Sequence, residues 1–160
     1  MRKLLFGIFL CLAVGALAVP AAFATSPHFV STTGSVDNNG SLTVSWKEAG
    51  LGDNQLIHYT LTASATATYA CINGGGNHPK AANKETVSGP VSASGTFSSG
   101  KNGNVTASLT AGPPGPGSFA CPSGQKLVLA SVSYTGITLT DTTNGVSTGV
   151  PNVSRVFFNV

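Results

Sequence analysis

The sequence predicts an all-β protein, a single antiparallel β-sandwich of about seven to nine short strands stapled by one disulfide. Three observations carry this. Apolar and polar residues alternate with period two along most of the chain. Gly, Asn, Ser and Pro clusters separate these runs, with 20 Gly and 9 Pro among 160 residues. Only 8% of residues are charged, which argues against a helix bundle, a coiled coil or a disordered charged tail.

Residues 1–24 read as a secretory signal peptide. Arg2 and Lys3 form a positive start, an apolar run follows from Leu4 to Val19, and Pro20 precedes the small-residue triplet Ala22-Phe23-Ala24. Cleavage there places Thr25 first and leaves 25–160 as one domain in a secreted, extracellular location. The leader takes Cys11 with it. Cys71 and Cys121 remain, an even count bound for an oxidising compartment, so they are expected to pair. After cleavage six basic residues stand against five acidic ones. Such a small surplus leaves no field for nucleic acid or for stable membrane association.

The strands follow in order. Residues 29–36 form the first, and Asp37-Asn38-Asn39-Gly40 a tight hairpin into the second, 41–48. There Leu42, Val44 and Trp46 point one way and Thr43, Ser45 and Lys47 the other. A long series runs through Ile57, Tyr59, Leu61, Ala63, Ala65, Ala67, Tyr69 and Cys71, its small central residues implying close packing. Val105, Ala107 and Leu109 give another strand, and Val128, Ala130, Val132 and Tyr134 the next. The phase then shifts across Gly136 to Ile137 and Leu139, as at a β-bulge. Residues 98–103 and Thr143-Asn144-Gly145 read as two further hairpin turns. Residues 153–160 read as the last strand, with Phe157 and Phe158 on opposite sides. Strand number and spacing give the sandwich an immunoglobulin or fibronectin type III character.

Two loops differ from ordinary turns. One spans 72–80 and carries Asn73, Asn77, His78 and Lys80; the other spans 111–120 and carries Pro113, Pro114, Pro116 and Phe119. Each adjoins a cysteine, so a disulfide would pin both at one end of the sandwich. These eight residues are the candidate binding residues, because loops on a rigid scaffold commonly carry recognition.

The chemistry of catalysis is thin. The acids Asp37, Glu48, Asp53, Glu85 and Asp141 are scattered, most of them beside turns, and are expected to be solvated with no two forming a dyad. No serine sits in a G-x-S-x-G elbow, and the metalloprotease, Walker and Rossmann patterns are absent. His28, His58 and His78 lack ligand spacing, and Asp37-Asn38-Asn39-Gly40 lacks the spaced acids of a calcium loop, so neither a metal nor a cofactor is expected. Trp46, Tyr59, Tyr69 and Tyr134 lie in strands and read mostly as core. Asn39, Asn104 and Asn152 each open an N-glycosylation triplet.

Ser41-Leu42-Thr43-Val44-Ser45-Trp46, followed by Ile57-His58-Tyr59-Thr60-Leu61, resembles the second and third strands of fibronectin type III domains, which bury a tryptophan and a tyrosine at about this separation. The resemblance implies fold only. Residues 70–79 and 112–119 resemble stretches of small secreted bacterial proteins of unassigned function, which implies secretion and compactness. Gly103-Asn104-Val105-Thr106-Ala107-Ser108-Leu109-Thr110 is loosely similar to chromoprotein carriers, disulfide-bonded sandwiches that hold an apolar ligand in a cleft.

The expected role is therefore non-catalytic: a secreted module that binds an extracellular protein or glycan through its disulfide-pinned loops. The alternatives are a carrier of a small apolar ligand, with a cleft along the alanine-rich strand, and a structural subunit that self-associates through poorly guarded strand edges.

Overall fold

A computed structural model describes residues 26–73 and 83–160. The expected leader, residues 1–24, lies outside them. Among the described residues eight strands form two antiparallel sheets that pack face to face. The elements are β1 (His28–Val36), β2 (Leu42–Ala49), β3 (Leu56–Asn73), β4 (Lys84–Ser98), β5 (Val105–Ala111), β6 (Gln125–Asp141), β7 (Val146–Gly149) and β8 (Val153–Val156). One sheet has the order β1-β2-β5; the other has β4-β3-β6-β7, with β8 also paired to β6.

Alternation selects the buried face of each strand. Leu42, Val44, Trp46, Val105 and Leu109 turn inward from the first sheet. Ile57, Tyr59, Leu61, Val132, Tyr134, Ile137 and Leu139 meet them from the second. Burying one such aliphatic side chain contributes about 1.5–3 kcal/mol. Trp46 packs on Tyr59 (ring centroids 4.8 Å apart) and edge-on to Phe97 (5.4 Å), which closes the core at the β1 N-terminal end. Ala63, Ala65 and Ala67 are buried, and the register sets Ala65 beside Tyr134 and Ala67 beside Val132. Small side chains there make room for larger neighbours.

The expected turns are largely found. Asp37 Oδ1 accepts from the N–H groups of Asn39 and Ser41, and Gly40 at φ +87° closes the β1–β2 hairpin. Thr143-Asn144-Gly145 joins β6 to β7. At the predicted bulge, Gly136 (φ +59°) and Ile137 lie opposite Ala63 alone. Phe157 joins the main core while Phe158 packs on Ala70 and Ala130, so the two rings do take opposite sides.

Five readings need correction. Val128 and Ala130 do not share the inward face of Val132 and Tyr134, because a second β6 bulge at Ala130 shifts the phase and turns Leu127 and Leu129 to the main core instead. Residues 98–103 are not a hairpin, because β4 and β5 belong to different sheets; a 3-10 turn at Gly100–Asn102 carries the chain between layers. Strands β4 and β7 had no predicted counterpart. The last strand ends at Val156, where both Phe157 and Phe158 N–H groups turn to the Ala130 carbonyl. Ile72 and Asn73 belong to β3 rather than to the loop after it.

Candidate functional site

The Cys71–Cys121 disulfide is formed, with Cα atoms 5.5 Å apart, and joins the end of β3 to the segment before β6. It places the proline-rich loop between β5 and β6 at the same end as the β3–β4 connection. A second tie holds that loop: the Tyr69 hydroxyl donates to the Pro114 carbonyl at 2.8 Å. Pro113, Pro114, Pro116 and Phe119 are half-buried, and Phe119 packs on the core. Three fixed φ angles and these anchors give the loop a set shape. Asn73 is exposed at the end of β3; Asn77, His78 and Lys80 lie outside the described residues.

The loop stands off the outer strand of the larger sheet and leaves a groove of about 340 Å³, lined by Glu85, Val87, Pro116, Gly117, Ser118 and Phe119. A larger open depression of about 580 Å³ lies on the outer face of the same sheet beneath the C-terminal tail, with Lys84, Thr86 and Thr68 on one side and Val156 and Asn159 on the other. Neither is lined by Ala63, Ala65 or Ala67, so the cleft a carrier would need along that strand is not among the described grooves.

The opposite end of the sandwich holds polar groups that the sequence reading placed in solvent. Glu48 and Asp141 are fully buried. Asp141 caps the β6–β7 turn: Oδ1 accepts from the N–H groups of Thr143 and Asn144, and Oδ2 from the Asn144 side-chain amide. Among the described residues neither oxygen of Glu48 makes a hydrogen bond of good geometry, nor do the Tyr59 hydroxyl and Trp46 Nε1 beside it. Burial pushes the Glu48 carboxyl up to about 7 from an ordinary 4.5, opposed by the Tyr59 hydroxyl and reinforced by the Asp141 charge. Burial likewise pushes the Tyr59 phenol far above its ordinary value. Glu48 continues the inward series Leu42, Val44, Trp46; its parity on β2 was the available signal. The two acids line neither groove, so they lie apart from any surface a substrate could reach through those openings.

The remaining polar candidates sit at the surface. His28 Nδ1 bonds the Ser26 carbonyl and His58 Nδ1 the Thr96 hydroxyl. Among the described residues no three His, Cys, Asp or Glu side chains gather as a metal set. Trp46, Tyr59, Tyr69 and Tyr134 are all buried. Asn39 and Asn152 are exposed and Asn104 is half-buried. No helix among the described residues is long and apolar enough to cross a membrane.

The fold and the grooves thus define an all-β, disulfide-stapled sandwich with a loop-walled surface groove. Comparison with known proteins adds no relative: no family model, no curated protein and no solved structure matches the chain.

Proposed function

We propose that the protein is a secreted, non-catalytic binding module that recognises an extracellular protein or glycan through the loop end beside Cys71–Cys121. The observation that carries this reading is the groove of about 340 Å³ between the Pro116–Phe119 turn and β4. Its wall is held by a disulfide, three prolines and the Tyr69–Pro114 bond. A wall fixed before binding reduces the ordering cost of recognition. Secretion is supported by the sequence of residues 1–24 and by the disulfide, which persists in oxidising compartments. An immunoglobulin- or fibronectin-like assignment is supported by the strand order, in which the third, sixth and seventh strands share one sheet and the first, second and fifth the other.

The test fills the groove without touching the core. Ser118 is exposed and lines it, so Ser118→Trp would occupy the space. Ligands would be selected from a displayed peptide library and a glycan array against the wild-type chain, then measured against the variant. Loss of binding by tenfold or more supports the reading. Ligands that bind Ser118→Trp as well as wild type would remove it, as would full binding after residues 112–118 are replaced by a short Gly-Ser turn.

A further inference from the structure

The two open sides of the sandwich are not alike. On one, β1 lies beside β7 and β8, and Arg155 ties them: its guanidinium donates to the Val36 carbonyl at 3.1 Å and to Asn38 Oδ1 at 2.8 Å. On the other, β4 lies against β5 of the opposite sheet without pairing to it. β4 is 15 residues long and, among the described residues, pairs only with β3. From Thr86 to Ser98 it carries no charged side chain, and an uncharged edge is an open template for another strand.

The register settles which backbone groups face outward. His58 on β3 directs its N–H and carbonyl to the β6 side, where they meet the Thr143 hydroxyl and the Thr142 N–H. Cys71, of opposite parity, donates its N–H to the Asn83 carbonyl on the β4 side. Backbone groups alternate between neighbours along an antiparallel strand. Odd residues of β3 therefore bond the odd residues of β4 they oppose, such as Gly95 and Phe97. The even residues of β4, namely Thr86, Ser88, Ser92, Ser94, Thr96 and Ser98, present their backbone to the open side. Pro90 has the same parity, so its missing N–H costs the sheet nothing, as expected for proline on an edge strand. It interrupts the edge once and leaves Ser92–Ser98 as the longest uninterrupted run.

The side chains of that run restrict the occupant. Even positions are hydroxyls on the outer face, whereas Val91, Ala93 and Phe97 are half-buried at the rim of the core. A strand added here must offer hydroxyls outward and apolar groups inward in the same phase. β4 is itself such a strand. Hydroxyl pairs between neighbouring strands already recur in the sheet, at Thr66–Ser88 (2.9 Å), Thr68–Thr86 (3.2 Å) and Thr140–Ser147 (3.0 Å).

We propose that two copies of the chain associate by antiparallel pairing of β4 with β4 about a two-fold axis at Gly95. Ser94 then exchanges backbone bonds with Thr96 of the second copy, and Ser92 with Ser98. The pairing is isologous and closes at two subunits. It is independent of the loop-end groove, which lies beyond Pro90 at the other end of β4.

The test is sedimentation equilibrium of the purified chain up to its solubility limit. A monomer–dimer equilibrium is expected. Ser94→Pro removes an outward N–H at the parity that already accommodates Pro90, and should weaken dimerisation at least tenfold. Pro90 would face Gly100, beyond the end of β4, so Pro90→Ser should leave the dimer unchanged. Ser94→Lys, exposed and outside the core, should weaken it at low salt and recover as salt rises; this keeps the test informative if Ser94→Pro unfolds. Ser118→Trp should leave the dimer unchanged. A wild-type chain that stays monomeric at every concentration overturns the proposal. So does association unaffected by both Ser94 variants, or a ladder of higher multiples in place of a dimer.

Discussion

Glu48 and Asp141 enter the same end of the core from opposite sheets, both fully buried, and of the two only Asp141 has its oxygens in hydrogen bonds of good geometry. The carboxyl without such bonds is the one whose ionisation burial opposes, so Glu48 is protonated below about pH 7 and Asp141 keeps its turn-capping bonds.

A pH dependence of stability follows. The folded-state pKa of Glu48 lies above its ordinary 4.5, so the folded chain binds the proton more tightly than the unfolded one. The contribution of Glu48 to stability is then greatest below about 4.5, falls as pH rises towards about 7, and levels above it. The full loss is of order 3 kcal/mol. Tyr59, Asp141 and His28 are the other groups that face or influence Glu48. Glu48→Gln keeps the shape and removes the titration, so urea midpoints at pH 5 and pH 8 should converge. A wild-type midpoint that rises across this interval would contradict the assignment.

Tyrosine hydroxyls in the core are not equivalent. Tyr134 donates to the Gly40 carbonyl at 2.6 Å inside the protein, and burial pushes its phenol up to about 12. Tyr134→Phe strands a buried carbonyl and should cost about 1–3 kcal/mol. Tyr69→Phe releases the half-buried Pro114 carbonyl to water and should cost about 1 kcal/mol or less. Chemical denaturation of the two variants compares them directly, and equal losses would refute the distinction.

The sheets were legible in the sequence because their central strands are buried on one face and wet on the other. β2 and β3 show this as clean alternation; in β6 Gly136 marked one bulge, but the second, at Ala130, has no glycine to announce it and puts Leu127 and Leu129 on the main core in place of Val128 and Ala130. β4 was not legible. Its inward positions include Gly89 and Gly95, its apolar residues are only half-buried at the edge, and Pro90 interrupts it. β7 has four residues, too few for a period to register. Turn residues at 98–103 announce a reversal but cannot say whether the strands on either side pair or cross between sheets. Half of the candidate site was legible as well: the disulfide and the proline loop followed from cysteine count and composition. The groove itself depends on β4 lying beside that loop, which no local pattern encodes.

Glycine substitutions probe the turns. Gly50 sits at φ +77°, and a Cβ there would clash with the Ser26 carbonyl oxygen, a backbone atom. Gly50→Ala should therefore cost roughly 1–3 kcal/mol from backbone strain and the clash together. Gly89 has an ordinary strand conformation with nothing within 4 Å of such a Cβ. Gly89→Ala should be neutral or stabilise by up to about 1 kcal/mol, because it restricts the unfolded chain. Thermal unfolding of the two variants should bracket wild type from either side.

Removing the staple tests how far the loop end depends on it. Cys71 and Cys121 are 50 residues apart, and cross-linking a segment of that length restricts the unfolded chain by about 4 kcal/mol on the loop-entropy account. The double variant Cys71→Ser, Cys121→Ser should lose stability of that order. The loss should not be spread evenly. Tyr69 would still hold Pro114, but the 121–124 segment would lose its only covalent tie to β3. Amide exchange should therefore quicken most at residues 118–126 and at the end of β3, while the amides of Tyr59 and Leu61 keep their protection relative to the global opening. Uniform acceleration across all strands would mean instead that the disulfide acts only through the unfolded state and plays no part in shaping the groove.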